Sequence, residues 1–244
     1  MSDDRVGLIA ERIRQAARLT IVTGAGVSAA SGVPTFRGPD GLWRQYRPEE
    51  LATPEAFARD PRLVWEWYDW RRNLIAQCRP NPAHDVIATW SERNGTTVIT
   101  QNVDDLHLAA GTRGLIRIHG SIWELSCWER CARGATPWRD DQVPLSQPHC
   151  PYCGALARPA VVWFGEALKQ EDLEAAGKAT ACDVFLTIGT SAIVYPAAGL
   201  VHEAKRQQAF TAEINRDETD ASAFVDVAIR GKAEEILPEI ERRL

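Results

Sequence analysis

Apolar residues recur along the chain with two periods. Between residues 4 and 17, Leu8, Ile9, Ile13, Ala16 and Ala17 repeat at helical spacing, with Asp3 or Asp4 placed to cap the first turn. Short runs rich in β-branched and aromatic residues predict strands at 18–23, 96–101, 115–118, 160–164, 183–188, 209–214 and 224–229. Helical spacing falls between them, at 61–78, 83–93, 103–110, 171–180, 196–207 and 232–243. Several strands are apolar at nearly every position, as strands covered on both faces are. Alternation of strand and helix from both ends predicts a doubly wound α/β fold around a mostly parallel sheet.

The alternation breaks twice. Residues 33–60 are rich in proline and charge and lack a period, which predicts a long loop with short helices. Residues 121–158 hold four cysteines and little periodic structure, too little to bury a core unaided, which predicts a metal-stapled insert. The organisation expected is one region spanning 1–244. Segments 1–35, 96–120 and 160–244 build the sheet, 36–95 form a loop and helical insert, and 121–158 form a small metal-binding module.

Composition narrows the class. The 244 residues are 45% hydrophobic and 25% charged, as in an ordinary globular protein, with net charge −5. That charge argues against a nucleic-acid partner, which needs basic surface to displace counterions from phosphates. No apolar run reaches the roughly 18–20 residues of a membrane helix, and the charged start MSDDRVGLIAERIRQAARL lacks an apolar signal core. A cytoplasmic monomer with no membrane partner is expected.

Candidate chemistry lies at the predicted strand ends. Cys127 and Cys131, then Cys150 and Cys153, form two close pairs, the spacing of a tetrahedral four-thiolate zinc site with no open position; His149 is a possible substitute ligand. Cys78 and Cys182 read as small core residues. Gly24-Ala25-Gly26 after the first strand allows a tight turn and close approach to a pyrophosphate, as in a Rossmann-like dinucleotide-binding sheet, and equally suits a purely structural turn. Gly189-Thr190-Ser191, Asn215 and Gly231-Lys232-Ala233 follow three later strands. Gln101-Asn102-Val103-Asp104-Asp105 suits recognition of a carboxamide and a ribose, and equally suits a helix cap with acids in the first turn. His119-Gly120 ends another strand; histidine suits proton transfer near neutrality, though a lone histidine is also a common structural residue.

Together GAGVSAASGVPTFRG (24–38), GLW (41–43), TQNVDDLH (100–107), HG (119–120), the four cysteines, VVWFGE (161–166), GTS (189–191), EIN (213–215) and GKAEEILP (231–238) resemble the sirtuin family of NAD-dependent protein lysine deacylases. The motifs follow the family's order and cover most of the chain. The resemblance implies that NAD is consumed as a co-substrate, with one structural zinc ion. It assigns NAD contacts to Gly24, Ala25, Gly26, Ser28, Ser31, Thr35, Phe36, Arg37, Trp43, Gln101, Asn102, Val103, Asp104, Gly189, Thr190, Ser191, Asn215 and Ala233. Phe36 would shield the reactive sugar carbon, Arg37 would lie near the phosphates, and Asp104 would hold the nicotinamide carboxamide.

The implied reaction starts with attack of the acyl-lysine amide oxygen on the nicotinamide ribose. Nicotinamide leaves, and His119 then acts as general base through the ribose hydroxyls. Water releases lysine and O-acyl-ADP-ribose. The partners implied are acylated lysines of proteins, contacted by Val161, Trp163, Phe164 and Gly165. Transfer of ADP-ribose to a protein nucleophile is the alternative.

Tyr68 and Arg71 share a helix face in WEWYDWRR (65–72). The pattern alone favours packed aromatics with Arg71 and Arg72 solvated. The Tyr-x-x-Arg pair, however, resembles the acyl pocket of the sirtuin branch that removes succinyl and malonyl groups. The resemblance therefore implies desuccinylase and demalonylase activity beside deacetylation.

Overall fold

The computed structural model describes residues 2–35, 47–144, 147–191 and 193–244. Helix α1 (Ser2–Gln15) leads into β1 (Leu19–Thr23), whose tip enters a 3-10 turn at Ala25–Ser31. Helices α2 (Pro48–Leu51), α3 (Pro54–Arg59), α4 (Pro61–Ala76) and α5 (Pro82–Ser91) precede β2 (Thr96–Thr100). Next come α6 (Leu106–Ala109), β3 (Leu115–Arg117), β4 (Gly120–Cys127), β5 (Trp138–Arg139) and β6 (Ala157–Val161). The chain ends through α7 (Gln170–Ala179), β7 (Val184–Ile188), α8 (Ala197–Arg206), β8 (Phe210–Asn215), β9 (Val227–Arg230) and α9 (Ala233–Glu241).

Six strands form a parallel sheet in the order β3-β2-β1-β7-β8-β9. The chain starts in the middle, runs to one edge, then returns to fill the other half, so the order reverses between β1 and β7. Alternate residues serve opposite faces. Leu19, Ile21 and Leu186 pack with Ile9 and Ile13 of α1, Ile87 and Trp90 of α5, and Leu237 and Ile240 of α9. Val22 and Phe185 pack with Ala176 of α7 and Leu200 and Val201 of α8. Burying each large side chain contributes about 1.5–3 kcal/mol before chain entropy is counted. This is the doubly wound fold that the alternation predicts.

Between residues 53 and 82 three helices are each started by local punctuation. Thr53 Oγ1 accepts from Ala56 N (3.1 Å), Asp60 Oδ1 from Leu63 N (3.0 Å) and Asn81 Oδ1 from Ala83 N (2.9 Å). Each cap is followed by a proline at the first helical position, where no amide is needed.

Several expectations are corrected. The run 160–164 is not a strand of the parallel sheet. Its strand spans Ala157–Val161 and pairs antiparallel with β4 in a second sheet, ordered β5-β4-β6. An apolar run signals burial on two faces, and β6 finds its cover against helix α4, where Trp65 Nε1 donates to Ala157 O (2.9 Å). Residues 121–158 are not aperiodic, since eight-residue β4 runs into them. Helix 103–110 shrinks to Leu106–Ala109, because Asp105 takes a left-handed φ of 62°. The first helix starts at Ser2, which puts Asp3 and Asp4 inside its first turn rather than before it.

Arg71 and Arg72 are both buried, not solvated. Arg72 donates to the carbonyls of Ile122 (3.1 Å), Asp140 and Gln142 (3.1 Å) and pairs with the Asp140 carboxylate (3.1 Å), tying α4 to the second sheet. Asp105 joins the two sheets, pairing with Arg117 of β3 (3.2 Å) and Arg139 of β5 (2.6 Å).

Two imidazoles lie within the core beside the tip of β1. His84 and His107 meet edge-on with ring centroids 4.9 Å apart. His107 Nε2 bonds Thr23 Oγ1 (2.9 Å) and His84 Nε2 bonds Ser28 Oγ (3.3 Å). Burial pushes His84 down to about 4, and burial with the neighbouring ring pushes His107 down to about 3. Both folded values lie below the unfolded value near 6.5. The stability the pair confers is therefore whole above that pH and is lost as pH falls through the window toward 4 and 3. Asp104, whose carboxyl burial raises, works in the opposite sense. Urea unfolding at pH 7 and pH 5 is expected to show a net loss of about 2–4 kcal/mol at the lower pH, at about 1.4 kcal/mol per shifted unit per group. Equal stability at the two pH values contradicts the neutral, proton-excluding pair.

Candidate active site

One cavity of about 1010 Å³ opens along the carboxyl tips of the parallel strands, at the point where strand order reverses. Gly24, Ala25 and Gly26 after β1, Gln101, Asn102 and Val103 after β2, Gly189, Thr190 and Ser191 after β7, Asn215 at the end of β8, and Ala233 starting α9 all line it, as does Thr35. The glycines are sterically required. A Cβ on Gly24 would lie 2.8 Å from Thr190 Cα, and one on Gly26 would lie 2.8 Å from Gly189 Cα. The β1 and β7 turns thus touch backbone to backbone, and Gly26 N donates to Gly189 O (2.8 Å). Gln101 Nε2 donates to Thr190 Oγ1 (2.9 Å) and Asn215 Nδ2 to Thr190 O (3.1 Å), joining three strand tips.

Other predicted residues lie behind that surface. Asn102, itself in the lining, donates through Nδ2 to Gly24 O and Ser28 Oγ, each at 3.1 Å. Ser28 and Asp104 are buried and outside the cavity lining. Asp104 Oδ1 accepts from Leu106 N (2.9 Å) and so caps α6; Asp105, at the cap position, makes no such bond. Ser31, also outside the lining, accepts from Asn81 Nδ2 (2.9 Å). Phe36, Arg37 and Trp43 lie outside the described residues.

His119 joins the lining from the turn between β3 and β4. Its Nδ1 lies 3.0 Å from Gln101 O. A carbonyl only accepts, so Nδ1 carries the proton and Nε2 keeps its lone pair. Burial lowers its pKa, and the bond to Gln101 opposes the shift. The imidazole is therefore neutral at pH 7, with a fixed tautomer and one basic nitrogen.

The far wall holds Tyr68, Arg71, Val161, Trp163, Phe164 and Gly165. The Arg71 guanidinium, 7% exposed, lies over the rings of Trp67 (4.8 Å) and Tyr68 (5.7 Å). Burial raises the Tyr68 phenol and lowers the Arg71 pKa; Tyr68 and, after it, Asp104 oppose the arginine shift. The lining also includes 216–220 and 193–196, which sequence reading passed over. Both follow the tips of β7 and β8 within a few residues, so the strand-tip signal extends to them. Leu168 and Leu173 line it too, with no local signal.

The Sir2 family model matches residues 24–196. The NAD-dependent protein deacylase 2 of Pyrobaculum aerophilum is 49% identical over 243 residues, covering 97% of this chain and 96% of its own. This chain belongs to the Sir2 family. A mutant Sir2 homologue in complex with ADP-ribose superposes with TM-score 0.92 at 43% identity, covering 97% of this chain and 95% of the other. A mutant Sir2 with a deacetylated p53 peptide and 3'-O-acetyl ADP-ribose superposes with TM-score 0.87 at 27% identity, covering 96% of each.

This Sir2 chain also gathers Cys127, Cys131, Cys150 and Cys153, whose sulfurs all lie within 4.8 Å of one another. Two of the sulfur pairs are 3.5 and 3.7 Å apart. A tetrahedron with zinc–sulfur bonds of about 2.3 Å has edges near 3.8 Å, so the cluster fits a four-thiolate structural zinc ion. His149 is not in the cluster. Gly134 packs on it, donating its N–H to Cys131 Sγ (3.3 Å), and a Cβ there would lie 2.6 Å from Cys127 Cβ and 2.8 Å from Cys150 Sγ. Gly134→Ala is expected to weaken zinc binding roughly 10- to 100-fold, measured by competition with a chromophoric chelator. Unchanged affinity contradicts the packing of Gly134 on the cluster.

Proposed function

We propose that this Sir2 chain removes acyl groups from protein lysines while consuming NAD, and that its pocket favours acyl chains ending in a carboxylate, succinyl and malonyl, besides accepting acetyl. The supporting observation is one continuous cavity that unites the glycine turns of β1 and β7, Asn102 and neutral His119 with buried Arg71 and Tyr68. The relatives named as NAD-dependent deacylases and the neighbours holding ADP-ribose or its acetyl ester support the same reading.

The strand tips take the dinucleotide: Gly24–Gly26 and Gly189–Ser191 its phosphates, Asn215 and Ala233 its adenosine half, Gln101–Val103 its nicotinamide half, with Asp104 behind them capping α6. Val161, Trp163, Phe164 and Gly165 lie along the peptide and the lysine stem, between the parallel sheet and the zinc module of 121–158. The amide oxygen of the acyl-lysine bonds to the ribose carbon as the nicotinamide bond breaks. Nε2 of His119 accepts the proton released when a ribose hydroxyl attacks the acyl carbon. Water then completes release of lysine and O-acyl-ADP-ribose.

Arg71 supplies selectivity. A guanidinium already desolvated and stacked on aromatic faces gains a charge-assisted pair when a carboxylate enters, whereas acetyl has nothing to offer it. Arg71→Met is expected to lower kcat/KM for a succinyl-lysine peptide about 30-fold or more, roughly 2 kcal/mol, and that for the acetyl peptide far less. Equal losses would return Arg71 to a packing role. His119→Tyr is expected to lower turnover of either peptide at least about 100-fold with the thermal melting profile retained; turnover close to wild type excludes His119 as the base.

A further inference from the structure

The acyl end of the cavity contains one hydrogen bond whose direction chemistry fixes. Trp163 Nε1 lies 2.8 Å from Tyr68 Oη. An indole N–H only donates, so the phenol oxygen accepts here. Among the described residues this is the one hydrogen bond to Tyr68 Oη, and the phenol's own proton is directed away from Trp163.

Trp163 is held firmly enough to impose that direction. It is 3% exposed, with the Arg158 guanidinium 3.5 Å from its ring centroid and the Phe57 ring at 5.5 Å. Its backbone N–H donates to Glu166 Oε2 (2.9 Å), and Glu166 pairs with Arg158 through both oxygens at 2.5 and 2.8 Å. Arg158 in turn donates to the carbonyls of Pro159 and Val161. The indole is thus clamped by a buried ion pair on one side and reports to Tyr68 on the other.

Resting on the carboxylate-pocket reading of Tyr68 and Arg71, we infer that Trp163 is a specificity-positioning residue. By occupying the acceptor side of Tyr68 Oη, it makes that hydroxyl a donor toward the acyl chain. Arg71 is also donor-only, so the two together present donors and no acceptor. An acyl terminus made only of acceptors, a carboxylate, is taken. Its carboxamide isostere, equal in size but carrying an NH₂ that needs an acceptor, is rejected. Charge alone would make Arg71 the whole explanation; Tyr68, oriented by Trp163, adds a directional requirement.

The test compares kcat/KM for one peptide bearing succinyl-lysine or the isosteric succinamoyl-lysine, with NAD, in wild type and four variants: Trp163→Phe, Tyr68→Phe, the double variant and Arg71→Met. Phenylalanine keeps a ring beside Arg158 but loses the N–H, freeing the Tyr68 hydroxyl to turn and accept. The succinyl-to-succinamoyl ratio is expected to fall about tenfold in Trp163→Phe, on the scale of one oriented hydrogen bond. It should fall no further when Trp163→Phe is added to Tyr68→Phe. General structural damage lowers both rates together and leaves the ratio unmoved. An unchanged ratio in Trp163→Phe, with the ratio collapsing in Arg71→Met, overturns the inference and leaves the carboxylate pocket standing. A wild-type ratio near one that Arg71→Met does not alter overturns the pocket itself. A further fall in the double variant shows Trp163 acting by another route and also overturns the inference. If Trp163→Phe does not fold, benzothienylalanine at position 163, which replaces the N–H by sulfur in the same bicycle, gives the same comparison.

Discussion

Where β1 and β7 end, backbone meets backbone. The turns after these strands come closer than any side chain allows, with Gly24 and Gly26 set against Gly189 and Thr190. This contact lies at the reversal of strand order, where a parallel sheet leaves a crevice beyond its strand tips. The features at the strand tips depend on it. Thr190, held by Gln101 and Asn215, joins β2 and β8 to the same floor. The Gln101 carbonyl then fixes the tautomer of His119. A side chain at Gly24 or Gly26 would part the two halves of the sheet and displace His119 along with the cavity floor.

The opposite wall is built on another principle, charge buried among aromatic rings. Arg71, Arg72 and Arg158 are each over nine-tenths buried, and each guanidinium faces an aromatic ring. Arg72 is taken up by carbonyls and Asp140, and Arg158 by Glu166; both are structural. Arg71 alone of the three lines the cavity. That separation gives adjacent arginines on one helix two different settings, one holding α4 against the second sheet and one in the cavity wall. Removing a partner from a buried charge is expensive, so such pairs hold the wall rigid while the cavity stays open.

Much of the nucleotide side was legible because strand tips announce themselves. An apolar run followed by glycine, amide or histidine was enough to place Gly24, Gln101, Asn102, His119, Gly189 and Asn215 on one edge, and the structure brings all of them into one cavity. The second sheet was not legible. The run 160–164 is as apolar as a parallel-sheet strand, yet the strand itself starts at Ala157, carries Arg158 and Pro159, and pairs with β4. The burial of Arg71 and Arg72 was invisible to helical spacing, which reports a face and not what covers it; Arg72 is covered by β4 and the turn after Asp140, far away in sequence. Asp104 shows the remaining limit. Its sequence position fitted both a cap and a ligand contact, and the structure gives it the cap while keeping it one layer behind the cavity surface.

The central claim is that one cavity couples NAD consumption to a carboxylate-selective acyl pocket. It is tested most directly by nicotinamide release from NAD with wild-type protein and a single peptide acylated at lysine by either succinyl or acetyl. The account predicts release with both and a clearly higher kcat/KM for succinyl. No acyl-peptide-dependent release would contradict the catalytic assignment, and equal or lower kcat/KM for succinyl would contradict the role given to Arg71 and Tyr68.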